Sequence, residues 1–261
     1  MPEIIDPERR ILVCADMEHY SRRDNVLQHR AQSTFTRILD EATTELGLSR
    51  NSWQIQQGGD GELAILPPGT SERAVVTRLV PALDRLLREH NRGLSAEARV
   101  RLRVAVHQGL VHLDGTNGFP SDAVVHVCRL ADSPAVKAAL RRFPSADVAL
   151  IVSDTIYRDV VQHYRDLRPE HFARVLAAVP DKDFCAPAWI YVPGENAADL
   201  AARETANVGR PAPTSSASAP PAAAGGSQVF KDITTHGPAA FGNHNTMNTT
   251  GWTDEEGSTS R

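Results

Sequence analysis

Two runs, WQIQQ and ELAIL, face each other across Gly58-Gly59-Asp60-Gly61, and this arrangement restricts the fold more than any other feature of the chain. Glycines permit the tight reversal that joins neighbouring antiparallel strands, so the segment reads as a β-hairpin with an acid in its turn. A lone hairpin is marginal in water and needs strands beside it and helices over it. ILVCAD, residues 11–16, is the first candidate neighbour: a short apolar run ending in an acid, which reads as a buried strand delivering a carboxylate at its C-terminal end.

Helical periodicity supplies the cover. Leu27, Ala31, Phe35, Ile38, Leu39, Ala42 and Leu46 recur at three- and four-residue spacing, with Gly47 as a stop. Residues 72–92 form a second helix with Val75, Val76, Leu79, Val80, Leu83, Leu86 and Leu87 on its inner face. VRLRVAVHQGLVHL then alternates: Val100, Leu102, Val104 and Val106 share one face, while Arg101, Arg103 and His107 share the other, read as the wet face of a strand near an edge. After the polar loop DGTNGFPSD come one amphipathic stretch, AVVHVCRLADSPAVKAAL, a buried strand, VALIVSD, and an edge strand, WIYVP, ended by Pro193. The order β-α-β-β-α-β-α-β predicts an α+β fold, a ferredoxin-like mixed sheet with packed helices over residues 11–193.

Composition narrows the classes of function. With 41% hydrophobic residues in 261 a real core is expected, and a formal charge of -4 without a basic stripe gives no footprint for nucleic acid. No run is long enough to span a membrane, and MPEIIDPERR has no signal-peptide pattern, so a cytoplasmic protein is expected. Cys14, Cys128 and Cys185 form neither a disulfide framework nor a zinc pattern, and the first two sit in apolar runs as small hydrophobes.

The chemistry centres on Asp16 and Asp60. In a ferredoxin-like sheet the first strand and the following hairpin are neighbours, which puts both carboxylates at one rim where they can share divalent cations. Gly58 and Gly59 admit two readings: a backbone that must approach phosphate closely, or a hairpin turn that needs glycine for its own geometry.

Four segments resemble the catalytic domain of class III nucleotidyl cyclases. VCADMEHYS is similar to the family's opening strand and loop, QIQQGGDGELAIL to its K-x-x-G-D hairpin, RLRVAVHQGLV to its R-x-G-x-H-x-G strand and AVVHVCRL to its V-N-x-A-x-R-L helix. The GGDG hairpin, ILPPG, VAVHQGLVH, the C-R-L-x-D helix and LIVSD together resemble cyclase-like proteins of actinobacteria. The resemblance implies metal ligation by Asp16 and Asp60, with two Mg²⁺ or Mn²⁺ ions, and a transition-state arginine at Arg129. It also implies a homodimer that binds nucleoside triphosphate at its interface. The substrate-binding positions depart from the family: Gln56 stands for the base-reading Lys, Gly118 for the base-specifying Asp and Val125 for the ribose-orienting Asn. His126, next to Val125, could replace that Asn only by a register slip. Gly58-Gly59-Asp60 is also similar to the GGDEF motif of diguanylate cyclases, but Gly61-Glu62 stands where Glu-Phe belongs.

From residue 195 the composition turns to Ala, Pro, Ser and Gly, which reads as a disordered linker over 195–227. Residues 228–252 alternate small apolar and polar side chains, and Phe241, Gly242, Asn243, Asn245 and Met247 fit the G-x-x-N-x-M heart of a homotypic interaction motif. This segment resembles bacterial amyloid signalling sequences, which implies a partner protein with a similar segment; residues 253–261 form an acidic end. Two functions follow as expectations: a cyclase producing a 3′,5′-cyclic nucleotide, as in antiphage signalling, or an inactive cyclase-like sensor that signals through its C-terminal motif.

Overall fold

The computed structural model describes residues 6–196; the C-terminal motif and all but the first two residues of the expected linker lie outside the described residues. Seven strands form one mixed sheet: β1 Glu8–Met17, β2 Gln54–Gln57, β3 Gly61–Ile65, β4 Leu102–Val111, β5 Val148–Ser153, β6 Ala173–Val179 and β7 Phe184–Tyr191, in the order β2-β3-β1-β4-β5-β7-β6. Only β4 and β5 pair in parallel. β1 is longer than its apolar run because Glu8, Arg9 and Arg10 pair with Val111, Leu110 and Gly109 through backbone alone, which side-chain polarity does not signal.

Helices cover both faces. α1 Asn25–Glu45 opens on Asp24, whose carboxylate accepts from the Leu27 amide at 2.8 Å, and Gly47 follows it in a left-handed conformation, φ 69°. α2 Glu72–Ala74 runs through a π turn, Val75–Leu79, into α3 Val80–Asn91. Pro81 lies at the start of α3, and the π turn before it accommodates the amide that proline lacks. α1, the π turn and α3 bury Phe35, Ile38, Leu79, Leu83 and Leu87 against Val13, Val104 and Val106 on one face of the sheet. Against the other face α4 Asp122–Asp132 and α5 Pro134–Arg142 bury Val127, Leu130, Val136 and Leu140 on Leu12, Ala105 and Ile151.

Three expectations are corrected. The stretch from 123 to 140 is two helices, since Pro134 holds Ser133 extended at φ -61°, ψ 141° and starts a new helix. The first three residues of WIYVP end β7, which lies between β5 and β6 and is no edge; the edge on that side is β6, whose small buried residues Ala173 and Ala177 gave the alternation little weight. β4 occupies the centre of the sheet, so Arg101 and Arg103 are not a wet face: their side chains are 15% and 12% exposed and ion-paired. Arg101 joins Glu18 at 2.6 Å and donates to the carbonyls of Leu140, Phe143 and Ala146, which lets one guanidinium close the C-terminal end of α5. No described helix is long and apolar enough to cross a membrane.

Candidate active site at one rim of the sheet

The C-terminal end of β1 and the start of β3 meet at one rim. Asp16 stands opposite Gly61 in the antiparallel register, and the Met17 amide donates to the Asp60 carbonyl at 2.7 Å. Asp16 and the Asp60 turn are therefore brought together by adjacent strands, β1 beside the hairpin as in the expected ferredoxin-like sheet. The turn is closed by the Gly58 amide donating to the Gly61 carbonyl at 2.7 Å, and Gln32 of α1 pins it by donating to the Gly59 carbonyl, also at 2.7 Å.

The turn glycines do different jobs. A Cβ on Gly61 would stand 2.3 Å from the Ala15 carbonyl oxygen, so glycine there lets β3 lie against β1. A Cβ on Gly59 meets nothing within 4 Å, and packing gives no reason for glycine at that position. Gly61→Ala is expected to cost about 1–3 kcal/mol, a typical overpacking penalty, while Gly59→Ala leaves the melting temperature near that of the wild type. Thermal unfolding of the two variants checks this.

Burial raises the Asp16 carboxyl above the ordinary carboxylate range, and the charge of Asp60 raises it further, against the opposing pull of Arg103. Arg103 donates to the Asp16 carboxylate from the next strand, β4. This arginine belongs to the site. Its place in the alternating pattern could have revealed it, because residue 103 of β4 lies opposite Asp16, once the central position of β4 is known. Asp60 itself is exposed, and its carboxylate has no hydrogen bond or ion pair among the described residues.

The positions matched to base and ribose reading fall in two groups. Gln56 on β2 lies against Gly118: its Oε1 would be 3.0 Å from a Cβ built there, and Gly118 itself has φ 92°. Two distant sequence positions therefore share one location. On α4, Val125 is 51% exposed and turned outward, while Arg129 is partly buried with no ion pair or hydrogen bond to its guanidinium among the described residues. His126 turns the other way and stacks on His107, ring centroids 4.4 Å apart, with Phe184 edge-on at 5.2 Å. His107 accepts or donates at Ser153 Oγ, 2.9 Å away, and sits four residues along β4 from Arg103. Neither imidazole joins the rim.

Burial, and secondarily the neighbouring His126, lowers His107 to about 4 from an ordinary 6.5. The unfolded chain thus takes up a proton near pH 6.5 that the folded chain refuses until about pH 4, and stability falls as pH drops through that window. Melting temperatures measured from pH 7.5 to 4.5 are expected to decline more steeply for the wild type than for His107→Gln. Elsewhere on this face the Cys14 and Cys128 thiols act on each other: that interaction and burial raise Cys14, and the same interaction lowers Cys128.

No protein-family model matches the sequence, and no curated protein matches it. Solved structures do. The chain is similar to an adenylate/guanylate cyclase/hydrolase from Silicibacter pomeroyi at 21% identity, with 72% of this chain and 98% of that one covered and a TM-score of 0.53. It also aligns with the guanylyl cyclase Cya2 at 14% identity over 72% of this chain and 92% of that one, TM-score 0.47. The first likeness shows that the chain has the α+β fold of the class III cyclase catalytic domain.

Proposed function

We propose that the protein is a metal-dependent nucleotidyl cyclase that converts a nucleoside triphosphate into a 3′,5′-cyclic nucleotide and pyrophosphate for signalling. The observation that carries this reading is the placement of Asp16 and Asp60 on adjoining strands at one rim. Burial and the charge of Asp60 raise the Asp16 carboxyl despite the opposing pull of Arg103, so a further cation between the two acids is favoured. Among the described residues no cluster of three or more His, Cys, Asp or Glu could form a closed metal cage. Two carboxylates fit Mg²⁺ or Mn²⁺, two ions, that take their remaining ligands from water and substrate phosphates. Bound there by Asp16 and Asp60, such ions would supply an acidified attacking hydroxyl and neutralise the triphosphate.

The chain's own groups divide the remaining work. Arg129, without a partner among the described residues, offers its guanidinium to the charge that develops on the transferred phosphoryl group. Gln56 presents an amide with both donor and acceptor beside Gly118, which contributes no side chain, so this location can pair with more than one base edge. A pyrimidine nucleotide is the substrate to try first, since the family's purine-reading Lys and Asp are both replaced. Val125 cannot hydrogen-bond a ribose and leaves orientation to other groups.

Arg129 and Val125 share the outward side of α4, which suits a site completed by a second copy of the chain. Mixing Asp60→Ala with Arg129→Ala protein, each inactive alone, is expected to restore about a quarter of wild-type turnover, because half the dimers are mixed and each has one complete site. No recovery after exchange of subunits would place all the groups within one chain and sink the shared site.

A second reading, an inactive nucleotide sensor, is favoured by Val125 and by the pairing of Asp16 with Arg103. In either case we assign to residues 228–252 the recruitment of a partner protein carrying a similar amyloid-type segment, a layout suited to bacterial immunity.

A further inference from the structure

A second cavity opens beyond the rim, where the loop after β1 meets the loop that enters β4. It has a volume of about 370 Å³, and Glu18, His19, Arg22, Arg23, Arg99 and Arg101 stand in its wall. Two of these arginines are already neutralised: Arg101 by Glu18 and Arg99 by the buried Asp147, each at 2.6 Å. The other two are not. Arg22 is exposed, with no ion pair or hydrogen bond to its side chain among the described residues. Among the described residues Arg23 is held only by backbone, donating to the carbonyls of Arg99 at 2.6 Å and Glu97 at 3.3 Å.

The remaining nitrogen of Arg23, Nη1, is buried and has no partner among the described residues. A guanidinium withdrawn from water without a carboxylate forfeits hydration that backbone carbonyls replace in part, and an oxyanion would restore the balance. The two carbonyl contacts fix the fork of Arg23. Arg22 adjoins it in sequence and adds a second charge at low cost, since it breaks no existing pair. Planar forks of this kind match the oxygens of a phosphoryl group. Two carboxylates also stand in the wall, Glu18, already paired with Arg101, and Glu97, which is exposed to solvent.

We propose that this cavity binds a phosphoryl oxyanion through Arg22 and Arg23. Two sources share that chemistry: free pyrophosphate, or the terminal phosphates of a nucleotide seated at the Asp16 rim. Only the second source rests on the cyclase reading. Glu18 and Arg101 follow β1 and precede β4 by one residue and are joined there by the Glu18 amide donating to the Arg101 carbonyl at 2.9 Å; each lies two residues, about 7 Å of extended chain, from Asp16 or Arg103 at the rim.

The test is calorimetric titration of the full chain with inorganic pyrophosphate, without metal or nucleotide. Saturable binding that weakens as salt is raised is expected. Arg22→Glu, a change at an exposed residue that leaves the fold alone, is expected to weaken it at least tenfold, and Arg23→Gln to weaken it similarly. Absence of pyrophosphate binding to the wild type overturns the proposal, as does unchanged affinity in Arg22→Glu and Arg23→Gln, whatever the protein's activity. Competition between pyrophosphate and a nucleoside triphosphate assigns the cavity to the nucleotide's terminal phosphates, and binding of both at once assigns it to the free anion.

Discussion

Asp60→Ala is expected to abolish metal-dependent turnover of nucleoside triphosphate while shifting the melting temperature by no more than about 3 °C. The asymmetry follows from its surroundings. The side chain is exposed and bonded to nothing among the described residues, and the turn is held by the backbone of Gly58, Gly59 and Gly61, which the substitution does not touch. Asp16→Ala should be equally inactive but less stable, by about 1–3 kcal/mol, because it strands the Arg103 guanidinium, only 12% exposed, without its carboxylate. Activity assays and thermal unfolding on both variants separate the roles. Full activity in Asp60→Ala would remove the paired carboxylates from the mechanism.

Arg129→Ala is expected to lower kcat at least a hundredfold with little change in KM, since an interaction made only in the transition state affects the chemical step and not substrate affinity. Among the described residues nothing pairs with this guanidinium, which is uncommon for a residue with a purely structural role. Steady-state kinetics give the answer. A large rise in KM at constant kcat would reassign Arg129 to ground-state binding.

The sequence revealed the parts of the fold that depend on local pattern. The strand-end Asp16, the hairpin carrying Asp60, the helix α1 and the buried run of β5 each follow from a few neighbouring residues, and the adjacency of β1 to the hairpin follows from the ferredoxin-like arrangement that their order predicts. What depends on the order of strands was hidden. Arg101 and Arg103 alternate with valine and leucine as a wet face would, and only the place of β4 between β1 and β5 turns them into buried ion pairs. Likewise the meeting of Gln56 with Gly118, and of Cys14 with Cys128, joins segments more than sixty residues apart in sequence, and nothing in either segment names the other. His126 shows the limit of helical phase: it neighbours Val125 in sequence but turns inward onto His107, so imidazole and valine face different surroundings.

The central claim is that the rim performs cyclisation, and product identity tests it most directly. Purified full-length protein incubated with each of the four ribonucleoside triphosphates and Mn²⁺ should yield, from at least one of them, a 3′,5′-cyclic monophosphate with an equal amount of pyrophosphate, detected by mass spectrometry and absent with Asp60→Ala. Nucleotide bound but recovered intact from all four incubations would contradict the account and leave the domain a sensor.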